Sequence, residues 1–206
     1  MKDLLREIET VKRSKIRRLV DSRINEFRRK KSKSKLFSEL CFCIMTANFN
    51  AERSMKMQDK IGKCFINLPE KALQKKLKDL GYRYHNRAEY IVKNREHKDD
   101  LEKNIGIMNE FELREWLVKN IKGFGMKEAS HFMRNIGFSD VAIIDFHIVD
   151  LLARYGIIKK PEKKSLSRKQ YLEIESILRE IAKKSKLNLA ELDLYLWYIE
   201  TGKILK

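Results

Sequence analysis

Residues 36–47, LFSELCFCIMTA, are apolar on nearly every side of a helical wheel, and this run constrains the fold more than any other stretch. A helix with one apolar stripe lies on a surface, but a helix apolar all round has to sit in the middle of a domain. Other helices must then surround it, and the rest of the chain supplies them. Leu4, Leu5, Ile8, Val11, Ile16, Leu19, Val20, Ile24 and Phe27 recur at helical intervals over residues 2–30. Comparable patterns predict helices at about 51–62, 70–79, 86–104, 109–120, 125–136, 146–155, 168–185 and 189–203. Asn188, with Glu191 three residues on, reads as a capping box. Pro69 and Pro161 are both expected at helix starts, where proline costs least. KKSKSK (30–35) and KKPEKKS (159–165) read as basic loops. Strand signals are confined to Val141–Ile144, a short extended connection, so the fold class is all-α.

The formal charge is +17, from 46 Lys and Arg against 29 Asp and Glu. Such an excess repels itself and attracts polyanions, which makes nucleic acid the expected partner. No apolar run is long enough to span a membrane. The first residues lack a signal-peptide core, so a cytoplasmic protein is expected. Cys41 and Cys43 lie in the apolar run and read as buried thiols. Neither cysteines nor histidines occur at metal-ligand spacing, and no structural metal is expected.

The chemistry concentrates in residues 121–127, Ile-Lys-Gly-Phe-Gly-Met-Lys. Gly123 and Gly125 flank Phe124 between two helical patterns, where glycine permits left-handed angles and a tight turn. The helix that follows begins with unpaired N–H groups suited to a phosphate. Its buried stripe is Ala129, Phe132, Met133 and Ile136, which leaves Lys127, His131 and Arg134 on another, outward face. A lysine at a helix N-terminus, with a cationic neighbour such as Lys122, is biased towards the neutral amine and so towards nucleophilic chemistry. Asp145 stands alone after four apolar residues, where a new helix begins, and suits an N-cap.

The run IKGFGMKEA followed by IIDFHI resembles the helix-hairpin-helix DNA glycosylases, whose pattern is L-P-G-V-G-x-K-x-A and then V-D-x-H-V. Lys122 stands where the family has proline, and the Gly-Pro before the aspartate is missing. No cysteine follows Cys64, so the iron–sulphur cluster of the endonuclease III branch is absent. GMKEASHF (125–132), GYRY (81–84), RAEYI (87–91), Trp197 and the final Lys206 are similar to the compact type 2 8-oxoguanine DNA glycosylases, over the whole length. That resemblance implies two helical domains, residues 33–139 and residues 1–32 with 140–206, with the active site in the cleft between them. It implies that Lys127 is the nucleophile, Asp145 its partner, and double-stranded DNA containing 8-oxoguanine the substrate of a monomer. It places Tyr84, Trp197 and Lys206 at the extruded base, and Asn48, Gly123, Gly125, His131, Arg83 and Arg87 on DNA. No cofactor is implied beyond a monovalent cation at the hairpin. Two other readings of the residues stand beside this one. One is a hairpin that grips DNA without chemistry. The other is a glycosylase for a different damaged base.

Overall fold

The computed structural model describes residues 1–163 and 165–206; Lys164, within the loop expected at 159–165, lies outside the described residues. The chain is helical, with α1 (Lys2–Lys12), α2 (Ile16–Arg28), α3 (Lys33–Thr46), α4 (Ala51–Ile61), α5 (Cys64–Asn67) and α6 (Glu70–Asp79). Then come α7 (Arg87–Lys93), a 3-10 turn (Asn94–His97), α8 (Lys98–Ile107), α9 (Glu110–Asn120) and α10 (Met126–Asn135). The last are α11 (Phe146–Arg154), α12 (Arg168–Ser185) and α13 (Leu189–Thr201). Two compact units result: Lys30–Phe132, and Met1–Arg29 with Met133–Lys206.

Unit Lys30–Phe132 is built around α3. Phe37, Leu40, Cys41, Phe42, Cys43, Ile44 and Met45 are all buried, and α4, α5, α7 and α8 pack against this helix. Burial pushes the Cys41 thiol well above its ordinary range, which keeps it protonated and unreactive. A buried helix leaves its last carbonyls without partners. Here the Arg87 Nη1 donates to the carbonyls of Ile44 (2.7 Å) and Ala47 (2.6 Å), and the Tyr82 hydroxyl donates to that of Met45 (2.9 Å). Asn48 then takes the left-handed conformation, with φ 57°, that asparagine tolerates after a helix end.

In the other unit, α13 packs against α1, α2, α11 and α12. Ile16, Val20, Ile24 and Phe27 of α2 meet Ala190, Leu194 and Tyr195 of α13, and Ile204 of the tail packs onto the same cluster. The segment Val141–Ile144 is buried and lies outside any helix. Side chains of α12 satisfy its backbone. Glu175 accepts from the Ala142 N–H (3.1 Å), while the Tyr171 hydroxyl accepts from the Ile144 N–H (3.2 Å) and donates to the Ala142 carbonyl (2.7 Å). Arg179 pairs with Glu175 (3.3 Å) and bonds the Asp140 carbonyl (2.6 Å).

The capping box at Asn188 and Glu191 is present. Equivalent boxes at Asn109 with Glu112 and at Ser167 with Gln170 were not anticipated. The expected loop at 30–35 is shorter, because α3 starts at Lys33 behind Ser32. Pro161 does not start a helix: α12 begins at Arg168, where Ser167 offers the cap that proline cannot. The stretch 86–104 is interrupted at Asn94–His97, and α5 had no readable signal because one turn is too short to show a period.

Tyr171 is 4% exposed, and its hydroxyl holds two backbone groups of the segment leading to Asp145. Tyr171→Phe is expected to lower stability by about 1–3 kcal/mol, because both groups stay buried without a partner. Urea denaturation followed by circular dichroism measures this, and an unmoved midpoint would show that the hydroxyl does not pin the segment.

Candidate nucleic-acid interface and reactive residues

The glycine turn is a hydrogen-bonded reversal. The Ile121 carbonyl accepts from the Phe124 N–H (3.1 Å), and Gly123, at φ 93°, takes the third position. A positive φ there is the mark of a type II turn, and proline is common at the second position, which Lys122 fills. Only Gly123 of the pair is left-handed. A Cβ on Gly123 would also lie 2.8 Å from the Tyr90 ring, so glycine is needed twice over. Gly125 serves a different purpose, since its N–H is bonded by the Glu128 carboxylate (3.3 Å) three residues on. Phe124 anchors the turn by packing against Phe132, at 6.1 Å between ring centroids.

Three residues of α7 and the following 3-10 turn hold this reversal. The Asn94 side chain, 2% exposed, donates to the Lys122 carbonyl (2.9 Å) and accepts from the Lys122 N–H (2.8 Å). A proline at 122 would lack the N–H that Asn94 Oδ1 receives. The Lys122 ammonium lies over the Tyr90 ring (5.0 Å) and pairs with Glu89 Oε1 (2.7 Å). Lys93 reaches the same oxygen at 2.8 Å. The hydrogen bonds from Lys122 and then Lys93 hold the Glu89 carboxyl at about 2. The Lys122 charge that the sequence placed near Lys127 is thus paired with Glu89. Nothing local in the sequence pointed to Asn94 or Glu89 in this part, since their partner is 28 or more residues away.

Lys127 lies in the first turn of α10 with 22% of its side chain exposed, and its ammonium is 3.9 Å from Glu128. The outward face expected to carry His131 and Arg134 does not exist. His131 is 7% exposed and packs edge-on against Phe42, with ring centroids 5.7 Å apart. Arg134 is 4% exposed, sits over the Phe27 ring (4.6 Å) and lies 3.6 Å from Asp193. Burial removes His131 from the expected DNA contacts. A wheel drawn for one helix ranks its own faces and says nothing of how many neighbours it has.

Arg87, expected at a phosphate, closes the end of α3 instead, because buried carbonyls claim its guanidinium. Its companion Arg83 is exposed and donates to the Asn48 carbonyl (3.2 Å). Both guanidiniums lie over the half-buried Tyr84 ring, at 4.7 and 4.8 Å. Asn48, Arg83, Tyr84 and Arg87 thus form one cluster at the end of α3.

In the other unit Asp145 caps α11, its Oδ1 accepting from the N–H groups of His147 (3.0 Å) and Ile148 (3.1 Å). The cap engages one carboxylate oxygen and fixes the orientation of the second. His147 lies between the exposed Phe146 ring (4.0 Å) and the Trp197 ring (4.9 Å). The Trp197 indole nitrogen is buried, with no hydrogen-bond partner among the described residues. Lys206, at the end of the tail, is half-buried.

Comparison with known proteins shows which family the chain resembles. A family model described as 8-oxoguanine DNA glycosylase matches residues 20–187. A relative from Korarchaeum cryptofilum is 52% identical over 99% of this chain and 98% of its own. One from Methanocaldococcus jannaschii is 52% identical over 98% and 99%. Both are named 8-oxoguanine DNA glycosylase/AP lyase. The Methanocaldococcus jannaschii enzyme in complex with a 15mer DNA containing 8-oxoguanine superimposes with a TM-score of 0.95, at 50% identity, over 98% of this chain and 99% of that one. The Thermotoga maritima enzyme superimposes with a TM-score of 0.93, at 42% identity, over 100% and 99%. With a glycine hairpin held on one unit, an aspartate cap on the other, and matches that run the length of the chain, this protein belongs to the helix-hairpin-helix 8-oxoguanine DNA glycosylase family.

Proposed function

We propose that this chain excises 8-oxoguanine from double-stranded DNA and then nicks the strand at the abasic site. The observation that carries the reading is Lys127, a partly exposed amine in the first turn after the glycine hairpin, in a chain whose near full-length relatives are named for both activities. A base inside a duplex is out of reach of any side chain, so the nucleotide has to rotate out of the stack.

The first turn of α10 offers N–H groups and the positive end of a helix dipole to one DNA phosphate, which sets the register of the strand. Lys127 Nζ attacks C1′ of the extruded deoxyribose, and the glycosidic bond breaks with its electron pair leaving on the base. The second oxygen of Asp145 takes the proton that the amine gives up, and its charge stabilises the cationic sugar. The capped geometry supports this role, because a carboxylate bonded by two backbone N–H groups does not turn away. The resulting imine acidifies C2′, and loss of that proton with cleavage of the C3′–O bond nicks the strand 3′ to the lesion. Trp197 and Tyr84 are the flat surfaces proposed for the extruded base, and Lys206 the group that separates 8-oxoguanine from guanine. Asn48, exposed and left-handed at the end of α3, is proposed to fill the gap left in the stack.

Borohydride reduction in the presence of 8-oxoguanine duplex is expected to trap a covalent adduct, and Lys127→Gln to abolish it while duplex binding survives. An adduct formed by Lys127→Gln would remove this lysine from the mechanism. Asp145→Asn should slow base release in single turnover by about 10²–10⁴-fold, and a change below tenfold would limit Asp145 to its capping role. In a panel of single-lesion duplexes, 8-oxoguanine should be the excised base, with selectivity over guanine lost when Lys206 is removed. Excision of an alkylated base in its place would establish the rival glycosylase reading.

A further inference from the structure

Lys93 and Lys122 converge on a single oxygen. Both ammonium groups reach Glu89 Oε1, at 2.8 and 2.7 Å. Two ammonium groups closing on one anionic oxygen is the arrangement that also receives a phosphate oxygen. The three side chains are 56%, 41% and 39% exposed for Lys93, Lys122 and Glu89, so a DNA backbone can reach them. Two further contacts keep Lys122 in place. The Tyr90 ring lies beneath its ammonium, and Asn94 fixes its backbone from both sides. Its chain neighbour is Gly123, the left-handed residue of the hairpin that is proposed to grip DNA.

We propose that Lys93 and Lys122 form a second phosphate clamp beside the glycine turn, and that Glu89 occupies this clamp until a DNA phosphate displaces it. The proposal rests on the DNA-binding part of the reading above and adds residues to it. Glu89 then has two effects. It keeps the two lysines pointed at one spot in the free protein, and it competes with the phosphate that belongs there. Exposed ion pairs are weak enough to exchange in this way. The net charge of the cluster is +1 with Glu89 in place and +2 towards an incoming phosphate once the carboxylate swings out.

The test is equilibrium binding of a labelled duplex carrying an uncleavable abasic analogue, measured over a series of salt concentrations. Four proteins are compared: wild type, Glu89→Gln, the double variant Lys93→Gln with Lys122→Gln, and the triple variant. Glu89→Gln should bind about threefold to tenfold tighter at low salt. The double lysine variant should bind more weakly and flatten the slope of log K against log salt by about 0.9, the value for one phosphate contact. In the triple variant the gain from Glu89→Gln should vanish. Unchanged or weaker binding by Glu89→Gln would overturn the clamp. A gain of equal size without the lysines would also overturn it, because the effect would then be loss of one repulsive charge. Binding and excision are read separately. Failure of the wild type to excise 8-oxoguanine would remove the glycosylase reading alone, and an inert Glu89→Gln in an excising protein would remove the clamp alone.

Discussion

A helix buried on all sides has to dispose of the carbonyls at its end, and much of unit Lys30–Phe132 follows from how α3 does so. Ile44 and Met45 are buried there, and each unpaired buried carbonyl costs on the order of 1–3 kcal/mol. Arg87 and Tyr82 provide the partners. Because Arg87 opens α7, fixing it against α3 also fixes where the rest of α7 points. Glu89, Tyr90 and, just beyond the helix, Asn94 then meet the glycine turn. Core burial and the geometry of the hairpin are linked through one short helix.

The other unit uses a related device. The buried segment Val141–Ile144 has neither a helix nor a sheet to satisfy its backbone. Tyr171, Glu175 and Arg179 of α12 do this from the side. The buried charge of Glu175 is tolerable because Arg179 pairs with it and a backbone N–H bonds it. The segment delivers Asp145 to the start of α11 in a conformation that both caps the helix and leaves an oxygen for chemistry. In the proposed mechanism, structural and reactive roles are combined in this one carboxylate.

The hairpin also explains how lysine can stand where relatives in the wider superfamily have proline. At the second position of a type II turn, proline supplies rigidity by fixing φ. Lys122 reaches a comparable restraint from outside the turn, with Asn94 on its backbone and Glu89 and Tyr90 on its side chain. This arrangement also leaves a positive charge at the mouth of the hairpin that proline would not.

The sequence by itself determined the helical class, most helix limits, the central place of α3, the turn at Gly123 and the cap at Asp145. Each of these is a local matter, decided by the period of apolar residues, by capping chemistry or by the demand for a positive φ. The burial of His131 and Arg134 and the hold of Arg87 on the end of α3 were not legible in the same sequence, and Asn94, Glu89, Tyr171 and Glu175 went unseen in their parts. Their positions depend on partners distant in the chain: His131 on Phe42, Arg87 on the end of α3, Asn94 on Lys122, Tyr171 on Ala142. Periodicity assigns a face to a helix, but only the packed structure decides what stands opposite that face. For this reason a polar side chain that looked free for DNA can prove to be committed to the protein's own backbone.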